Sequence, residues 1–489
     1  MSSPQSPVRY FVSPSAARYG AVPWAGLLLL VAAAVGMMVV APAVRAQGTP
    51  TDPAPLPTPE ATDGAIRVEV RPAHERIEVQ PGNRVHLNII IEGNEAQAVR
   101  PERLPLNVVL VLDKSGSMHG ENKWQYVVQA AEDVIRRLGR DDYFSLITYD
   151  STVRTVIPTT RNLDPDWAIR KLRELSPGGS TALHGGLVQG VAAAREHAGG
   201  RHVTRVVLLS DGLANVGPSS PQELRAYAEQ ASGYGVRLST VGVGLDYNED
   251  LMMGIARESG GTYYFIDDPE RIAIMFDEEL SGLMNVVARQ VEVTIELPPN
   301  VRFVESLDRA TSIRREDRDG RSLLHLTFPE VSGRQMRQCH IEVELTETTT
   351  APMVRLAEVN VNYEDAASLS RREVAATARV MQAASADDAT NSLDSLVWAR
   401  VIELQSVQNR ARAMEAFDSG NRAEGQRLLE VNSGFLTRAR QAMPASASPA
   451  AFGRIQAQEL QNTNEADAYE SNDPAARKSQ QYDMYRSTH

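Results

Sequence analysis

The hydrophobic and polar positions of this chain change their period several times along the sequence. Between 65 and 103, apolar and polar residues alternate in short runs, which is the period of half-buried strands. From 104 to 287, short apolar runs alternate with segments whose apolar residues recur every three or four positions, the period of amphipathic helices. From 288 to 370 the strand period returns. The pattern therefore predicts two strand-rich segments that flank an α/β segment.

The α/β segment, residues 104–287, opens with the continuous apolar run Val108–Leu112, which is typical of a buried parallel strand. A helix is predicted from Lys123 to Leu138, and the last helix of the segment from Pro269 to Ala288. Such alternation of strands and helices predicts an α/β, doubly wound, Rossmann-like sheet. Since the flanking strands can bury a shared apolar face, we expect the α/β domain to be inserted in a β-sandwich.

The carboxyl-terminal part has a helical pattern. Residues 371–445 are predicted to form a helical hairpin packed on its own domain, broken at Asp418–Asn421.

Two other segments show neither the strand period nor the helix period. Residues 47–64 are rich in Pro, Thr and Ala and predict a disordered linker. Residues 446–489 are rich in Ala, Ser, Gln and Asn and predict a disordered tail.

The amino terminus has the pattern of an export signal. Residues 25–41 are apolar, Arg9 and Arg18 precede them, and small residues lead up to Ala46. This pattern predicts a signal peptide over 1–46, with an uncleaved anchor in the inner membrane as the alternative. In both cases the rest of the chain is expected outside the cytoplasm, in the periplasm or the extracellular space. The anchor is the only contact with a membrane that we expect.

Composition narrows the classes of function. The 489 residues carry a net charge of −12, and no Lys/Arg-rich run is present, so nucleic acid is not an expected partner. The single cysteine, Cys339, excludes an intramolecular disulfide. In its alternating run Cys339 falls on the apolar face, and the same alternation predicts that His340 faces solvent.

Candidate chemistry follows the buried run directly. Asp113, Ser115 and Ser117 lie at alternate positions of the loop after Leu112, so their side chains can converge on one point. All three offer oxygen, the ligand atom that hard divalent cations prefer. A ligand site at the carboxyl end of a central strand is also where open α/β sheets bind their ligands.

Two later stretches match this pattern. Gly178-Gly179-Ser180-Thr181 forms a flexible segment at the start of a predicted helix, and a second apolar strand, Arg205–Leu209, runs into Ser210 and Asp211. Each piece alone is typical of an ordinary turn or helix cap. Together they place Thr181 and Asp211 at the same edge of the sheet as the first loop.

The three stretches resemble the metal-ion-dependent adhesion site (MIDAS) of von Willebrand factor type A (VWA) domains. That site is Asp-x-Ser-x-Ser followed by a distant Thr and a distant Asp. By this resemblance Ser115, Ser117 and Thr181 are hydroxyl ligands, and Asp113 and Asp211 bind the metal directly or through water. The implied ion is Mg²⁺, with Mn²⁺ or Ca²⁺ as alternatives.

The segment Pro105–Val108 ahead of this loop is also similar to exported bacterial VWA proteins labelled "calcium-activated chloride channel-like" and to inter-alpha-trypsin inhibitor heavy chains. The resemblance implies a module for adhesion or scaffolding that binds a protein partner through the partner's Asp or Glu. The alternative is an envelope scaffold in which the metal only stabilises the loops. A metal-dependent phosphatase of the haloacid dehalogenase type needs a second Asp where Ser115 stands, so we expect no enzymatic activity.

Overall fold

A computed structural model describes residues 60–94, 103–213, 220–308, 312–471 and 474–488. The predicted signal segment and the first part of the predicted linker, up to residue 59, lie outside these ranges. None of the helices in the described ranges combines the length and apolar character that a membrane span requires.

The strands of the described residues, in chain order, are β1 (Glu60–Asp63), β2 (Ile66–Pro72), β3 (Arg76–Ile77), β4 (Arg84–Gly93), β5 (Leu106–Asp113), β6 (Tyr143–Tyr149), β7 (Val153–Arg161), β8 (Val203–Ser210), β9 (Arg237–Val243), β10 (Tyr263–Ile266), β11 (Val286–Leu297), β12 (Val301–Ser306), β13 (Arg314–Arg318), β14 (Arg321–Ser332), β15 (Met336–Leu345), β16 (Met353–Asp365) and β17 (Arg371–Gln382). The α-helices are α1 (Lys123–Arg137), α2 (Pro165–Arg173), α3 (Leu183–Arg195), α4 (Pro221–Gly233), α5 (Glu249–Ser259), α6 (Ile272–Met284), α7 (Ala386–Asn391), α8 (Ser395–Asp418), α9 (Arg422–Gln441), α10 (Pro449–Ser471) and α11 (Pro474–Thr488). Short 3₁₀ helices cover Gly116–Asn122 and Pro269–Arg271.

The α/β domain is built on one six-stranded sheet in the order β10-β9-β8-β5-β6-β7. All neighbours in this sheet are parallel except β6 and β7. Helices α1, α2 and α6 bury one face of the sheet, and α3, α4 and α5 bury the other. Every residue of β5 is buried because both of its faces are covered, which explains its unbroken apolar run. The doubly wound prediction is confirmed.

Two further sheets form a β-sandwich around a common apolar core. Their strand orders are β1-β2-β4-β15-β12 and β13-β14-β11-β16-β17-β3. Strand β4 precedes the α/β domain, and it pairs antiparallel with β15, which follows that domain. The predicted insertion of the α/β domain in a β-sandwich is therefore confirmed.

Several predicted boundaries were wrong. Strand β17 occupies the start of the predicted hairpin because its alanines and valines alternate between buried and exposed positions while it pairs with β16. Strand β1 falls within the predicted linker and pairs with β2. Helix α6 ends at Met284 rather than Ala288, because β11 already begins at Val286.

The predicted disordered tail was also wrong, since helices α10 and α11 occupy most of it. Helix α10 packs against the hairpin of α8 and α9. It buries polar side chains as well as apolar ones: Asn432 Nδ2 donates to Asn462 Oδ1 (2.8 Å), and Arg410 lies 3.6 Å from Glu465. Because the partners of these polar groups lie on other helices, the composition of the segment alone resembled that of a disordered tail.

Helix α11 covers the edge strand β10 of the α/β sheet. The backbone N–H of Tyr263 donates to the Tyr485 hydroxyl (3.0 Å), and the rings of Tyr482 and Tyr485 meet the Tyr263 ring edge-on. An uncovered edge strand can pair with other chains, so this helix protects the sheet from edge-to-edge association.

The alternation in β15 predicted the position of Cys339 correctly and that of His340 wrongly, since both are buried. The second face of this sheet is covered by α8, whose Trp398 ring lies 6.0 Å from the His86 ring. Neither ring nitrogen of His340 has a hydrogen-bond partner within the described residues. Burial lowers the pKa of His86 to about 4 and that of His340 to about 3.

These histidines give stability a definite pH dependence. Since the unfolded chain binds their protons below about pH 6.5 and the folded chain does not, their contribution is lost as pH falls. Burial raises the pKa of Asp308 to about 6 and of Glu465 to about 7, and these groups act in the opposite direction. The contribution of these histidines to the free energy of unfolding falls when the pH is lowered from 7 to 5. We therefore expect the loss of unfolding free energy over this range to be about 2 kcal/mol smaller in His340→Leu than in wild type. Urea unfolding at both pH values measures this difference. His119→Leu, at an exposed histidine, is the matched control.

Candidate metal centre

The predicted site residues lie at the carboxyl ends of two neighbouring central strands. Strand β5 ends at Asp113 and strand β8 ends at Ser210, directly before Asp211. These strands pair in parallel, so their ends meet at one edge of the sheet. The segment before α3 joins them there, since the Gly116 N–H donates to the Gly179 carbonyl (3.0 Å).

Asp113 is completely buried and held at both carboxylate oxygens. Its Oδ1 accepts from the Ser115 backbone N–H (2.8 Å), and its Oδ2 accepts from the Ser210 hydroxyl (2.8 Å). Burial raises the pKa of Asp113 to about 6; the hydrogen bonds from Ser115 and Ser210 oppose this rise, and the nearby charge of Asp211 adds to it. The carboxylate is therefore fixed in place but poorly solvated.

The hydroxyls connect the two carboxylates. Ser115 Oγ lies 3.1 Å from Ser117 Oγ, and Ser117 Oγ donates to Asp211 Oδ1 (2.6 Å). Asp211 is completely buried, whereas Ser117 is exposed. The cluster thus has a buried acidic floor and an opening to solvent at Ser117.

Thr181 completes the group. A Cβ added at Gly212 would lie 3.6 Å from Thr181 Oγ1 and 3.8 Å from Ser117 Oγ. Both hydroxyls therefore face the same Cα, and the missing side chain at Gly212 leaves room between them. The structure brings together all five residues that the sequence singled out: Asp113, Ser115, Ser117, Thr181 and Asp211.

Sequence reasoning missed two residues of this cluster. One is Ser210, the hydroxyl donor to Asp113. The other is Lys123, whose Nζ lies 3.0 Å from Asp211 Oδ2. A signal for Lys123 was present: it stands four residues before Val127 on the apolar stripe of α1, a position that faces the core.

The donor set fits a hard divalent cation. In the described residues no three His, Cys, Asp or Glu side chains cluster as a metal site. The present group has only two carboxylates and supplies the rest of its oxygen from three hydroxyls. Such a set of carboxylate and hydroxyl oxygens suits Mg²⁺, Mn²⁺ or Ca²⁺ and not a soft metal.

Filling the space at Gly212 should block this group. We expect Gly212→Val to reduce Mn²⁺ affinity by at least roughly tenfold, because its branched side chain would enter the space between Thr181 and Ser117. Isothermal titration with Mn²⁺ measures the effect, and circular dichroism checks that the fold is kept. Gly453 has open space around its Cα, so Gly453→Val is the matched control and should bind Mn²⁺ as wild type does.

Comparison with known proteins identifies the class of the α/β domain. Residues 107–278 match the von Willebrand factor type A domain family. The chain is 31% identical over 201 residues to the uncharacterized protein sll0103 of Synechocystis, covering 41% of this chain and 47% of that protein. It is 28% identical over 252 residues to human inter-alpha-trypsin inhibitor heavy chain H3, covering 49% of this chain and 27% of the relative. The chain contains a VWA domain.

A solved structure extends the likeness beyond that domain. The von Willebrand factor type A protein from Catenulispora acidiphila superposes with a TM-score of 0.59 at 17% identity, covering 83% of this chain and 90% of that one. This match shows a common fold. The chain spans less than half the length of the two curated relatives described above. VWA domains commonly bind a divalent cation at a MIDAS and are generally non-enzymatic interaction modules.

Proposed function

We propose that this chain is a metal-dependent protein-binding module that acts outside the cytoplasm, in adhesion or scaffolding. Its VWA domain captures an Asp or Glu side chain of a protein partner at the cluster of Asp113, Ser115, Ser117, Thr181 and Asp211. A bound Mg²⁺ would supply an exchangeable coordination position for that carboxylate. The observation that carries the proposal is the convergence of three hydroxyls over two buried carboxylates.

The hydrogen bonds favour hydroxyls as the metal-facing groups. The Ser117 proton goes to Asp211, so one lone pair of Ser117 Oγ stays available after it accepts from Ser115. Both oxygens of Asp113 already accept hydrogen bonds, from the Ser115 N–H and the Ser210 hydroxyl. Hydroxyl ligands add no negative charge of their own, so the bound cation can still attract an outside carboxylate.

The surroundings of the cluster suit a protein partner. Ser117 opens to solvent, and Leu213, two residues after Asp211, is 58% exposed. Leu245, 41% exposed, lines a shallow cavity of about 450 Å³ together with Leu213. These two exposed leucines beside the cluster offer a protein partner apolar area to bury.

The export pattern of the amino-terminal sequence supports the same proposal. The amino-terminal sequence has the pattern of a signal segment, and VWA homologues are often extracellular. Outside the cytoplasm, divalent cations are available to a site of modest affinity.

The test is binding to peptides that carry a central Glu. A peptide selected from a fixed-Glu library in Mg²⁺ should be released by EDTA, and its Glu→Gln version should bind at least roughly 100-fold more weakly. Surface plasmon resonance on the full chain measures both. Equal binding of the Gln version, or binding that survives EDTA, would reject carboxylate capture.

The alternative is a scaffold in which the metal only stabilises the loops. It predicts a Mg²⁺-dependent rise in melting temperature without any Glu-dependent peptide binding. Any ion that binds only the folded chain raises the melting temperature, so stabilisation alone does not separate the two functions. The comparison of the Glu and Gln peptides separates them, because only carboxylate capture predicts weaker binding of the Gln peptide.

A further inference from the structure

A lysine ammonium is bound inside the candidate metal centre. Lys123 Nζ lies 3.0 Å from Asp211 Oδ2, on the oxygen that Ser117 does not use. Only 11% of the Lys123 side chain is exposed, and Asp211 is completely buried. Such a pair differs from the surface ion pairs of this chain, since water screens it little.

The backbone is shaped to place this lysine. Glu121 (φ 52°) and Asn122 (φ 56°), the two residues before it, adopt the left-handed conformation, which non-glycine residues rarely adopt. Lys123 then begins α1 and points toward Asp211. A Cβ added at Gly244 would lie 3.3 Å from Lys123 Nζ, so the loop after β9 also leaves space for the ammonium.

We propose that Lys123 is a positioning residue that couples metal binding to carboxylate binding at this site. It holds Asp211 behind the hydroxyls and cancels one of the two buried negative charges. This inference rests on the proposed function of the same cluster.

The charge count gives the direction of the coupling. With Lys123, the two carboxylates and the ammonium sum to one negative charge; a divalent cation leaves one positive charge, and a partner's carboxylate neutralises it. Without Lys123, the cation alone neutralises the site, and a further carboxylate makes it negative. In a buried site, a charge a few ångströms away changes the affinity for a metal or a carboxylate by several-fold or more. Lys123 therefore weakens binding of the metal alone and strengthens capture of an acid.

The test uses Mn²⁺ as the probe on the full chain at pH 7.5. We expect Lys123→Met to bind Mn²⁺ roughly tenfold more tightly than wild type, by isothermal titration. Excess acetate, against the same concentration of chloride, should tighten Mn²⁺ binding in wild type and not in Lys123→Met, because coupling is reciprocal. Lys123→Arg keeps the charge and should behave as wild type.

Lys114 supplies the matched control. It lies in the same loop, is similarly buried, and pairs with Asp150 instead of a carboxylate of the cluster. Lys114→Met should therefore leave the Mn²⁺ affinity within about threefold of wild type. Lys123→Gln repeats the measurement if Lys123→Met does not fold.

The outcomes separate the two proposals. No Mn²⁺ binding by wild type would reject the metal centre itself, and the proposed function with it. Mn²⁺ binding by wild type with unchanged or weaker affinity in both Lys123→Met and Lys123→Gln would overturn only the role of Lys123. Tighter Mn²⁺ binding with the acetate effect lost supports it.

Discussion

Replacing Asp113 with Asn should abolish the response of this protein to Mg²⁺ while leaving the metal-free fold as stable or more stable. Burial raises the pKa of Asp113 to about 6, which means that its charge is unfavourable in the metal-free site at neutral pH. Asn keeps the shape and removes the charge. We expect metal affinity to fall by roughly 100-fold, which is about 2.7 kcal/mol.

The measurement is the melting temperature in EDTA and in excess Mg²⁺. Wild type should melt higher in Mg²⁺, and Asp113→Asn should melt at the same temperature in both. A Mg²⁺ shift of wild-type size in the variant would contradict the assignment of Asp113 to the metal centre.

Asp142→Asn is the control, for which we expect the opposite result: a loss of stability with the Mg²⁺ response kept. Asp142 is also buried, but it lies at the other end of the sheet, where it pairs with Arg103 and accepts from the Leu106 N–H (2.8 Å). These hydrogen bonds and the Arg103 charge together outweigh burial and lower the pKa of Asp142, so its charge stabilises the fold. Its loss should reduce stability and leave the Mg²⁺ shift unchanged.

Arg205→Met should destabilise the protein by about 3–5 kcal/mol, the usual cost of leaving buried charges without a partner. Arg205 is 5% exposed and reaches two carboxylates: Glu279 on α6, at 3.2 Å, and Glu330 on β14. Glu279 is also bound by the hydroxyls of Ser239 and Tyr264. Arg205 therefore joins the central sheet, the last helix of the VWA domain and the β-sandwich.

Urea unfolding measures the loss, and a second variant tests its cause. Adding Glu279→Gln to Arg205→Met should recover part of the stability, because one stranded charge disappears. Arg161 pairs with Asp141 on the surface of the same sheet, so Arg161→Met should cost at most about 1 kcal/mol. Equal losses in Arg161→Met and Arg205→Met would show that burial of the pair is unimportant.

Much of the fold was predictable because its signals are local and periodic. The fully apolar β5, with helical periodicity after it, was sufficient to predict a parallel sheet covered on both faces. The strands on either side of that domain share one apolar face, so their pairing into a sandwich followed from burial. The convergence of the five oxygen-bearing residues was predictable because they stand in the loops that follow apolar strands or precede a helix.

The errors arose where a residue's environment comes from a distant segment. His340 alternates like a solvent-facing residue and is buried only because α8 covers that face of the sheet. Gln458 and Glu465 look like residues of a disordered tail, and Arg410 of α8 supplies their partner. Polar groups of this kind are stable inside a protein only when a partner is brought to them, and a partner far along the chain leaves no periodic signal.

By itself, then, the sequence determined the central sheet, its insertion in a sandwich, and which oxygen-bearing side chains could meet at its edge. Only the tertiary structure decided that Lys123 reaches Asp211, that Arg205 bridges the two domains, and that the last two helices pack instead of remaining disordered. The physical reason is that apolar burial follows the short period of a strand or helix, whereas a buried charge depends on which distant partner the complete fold brings within a few ångströms.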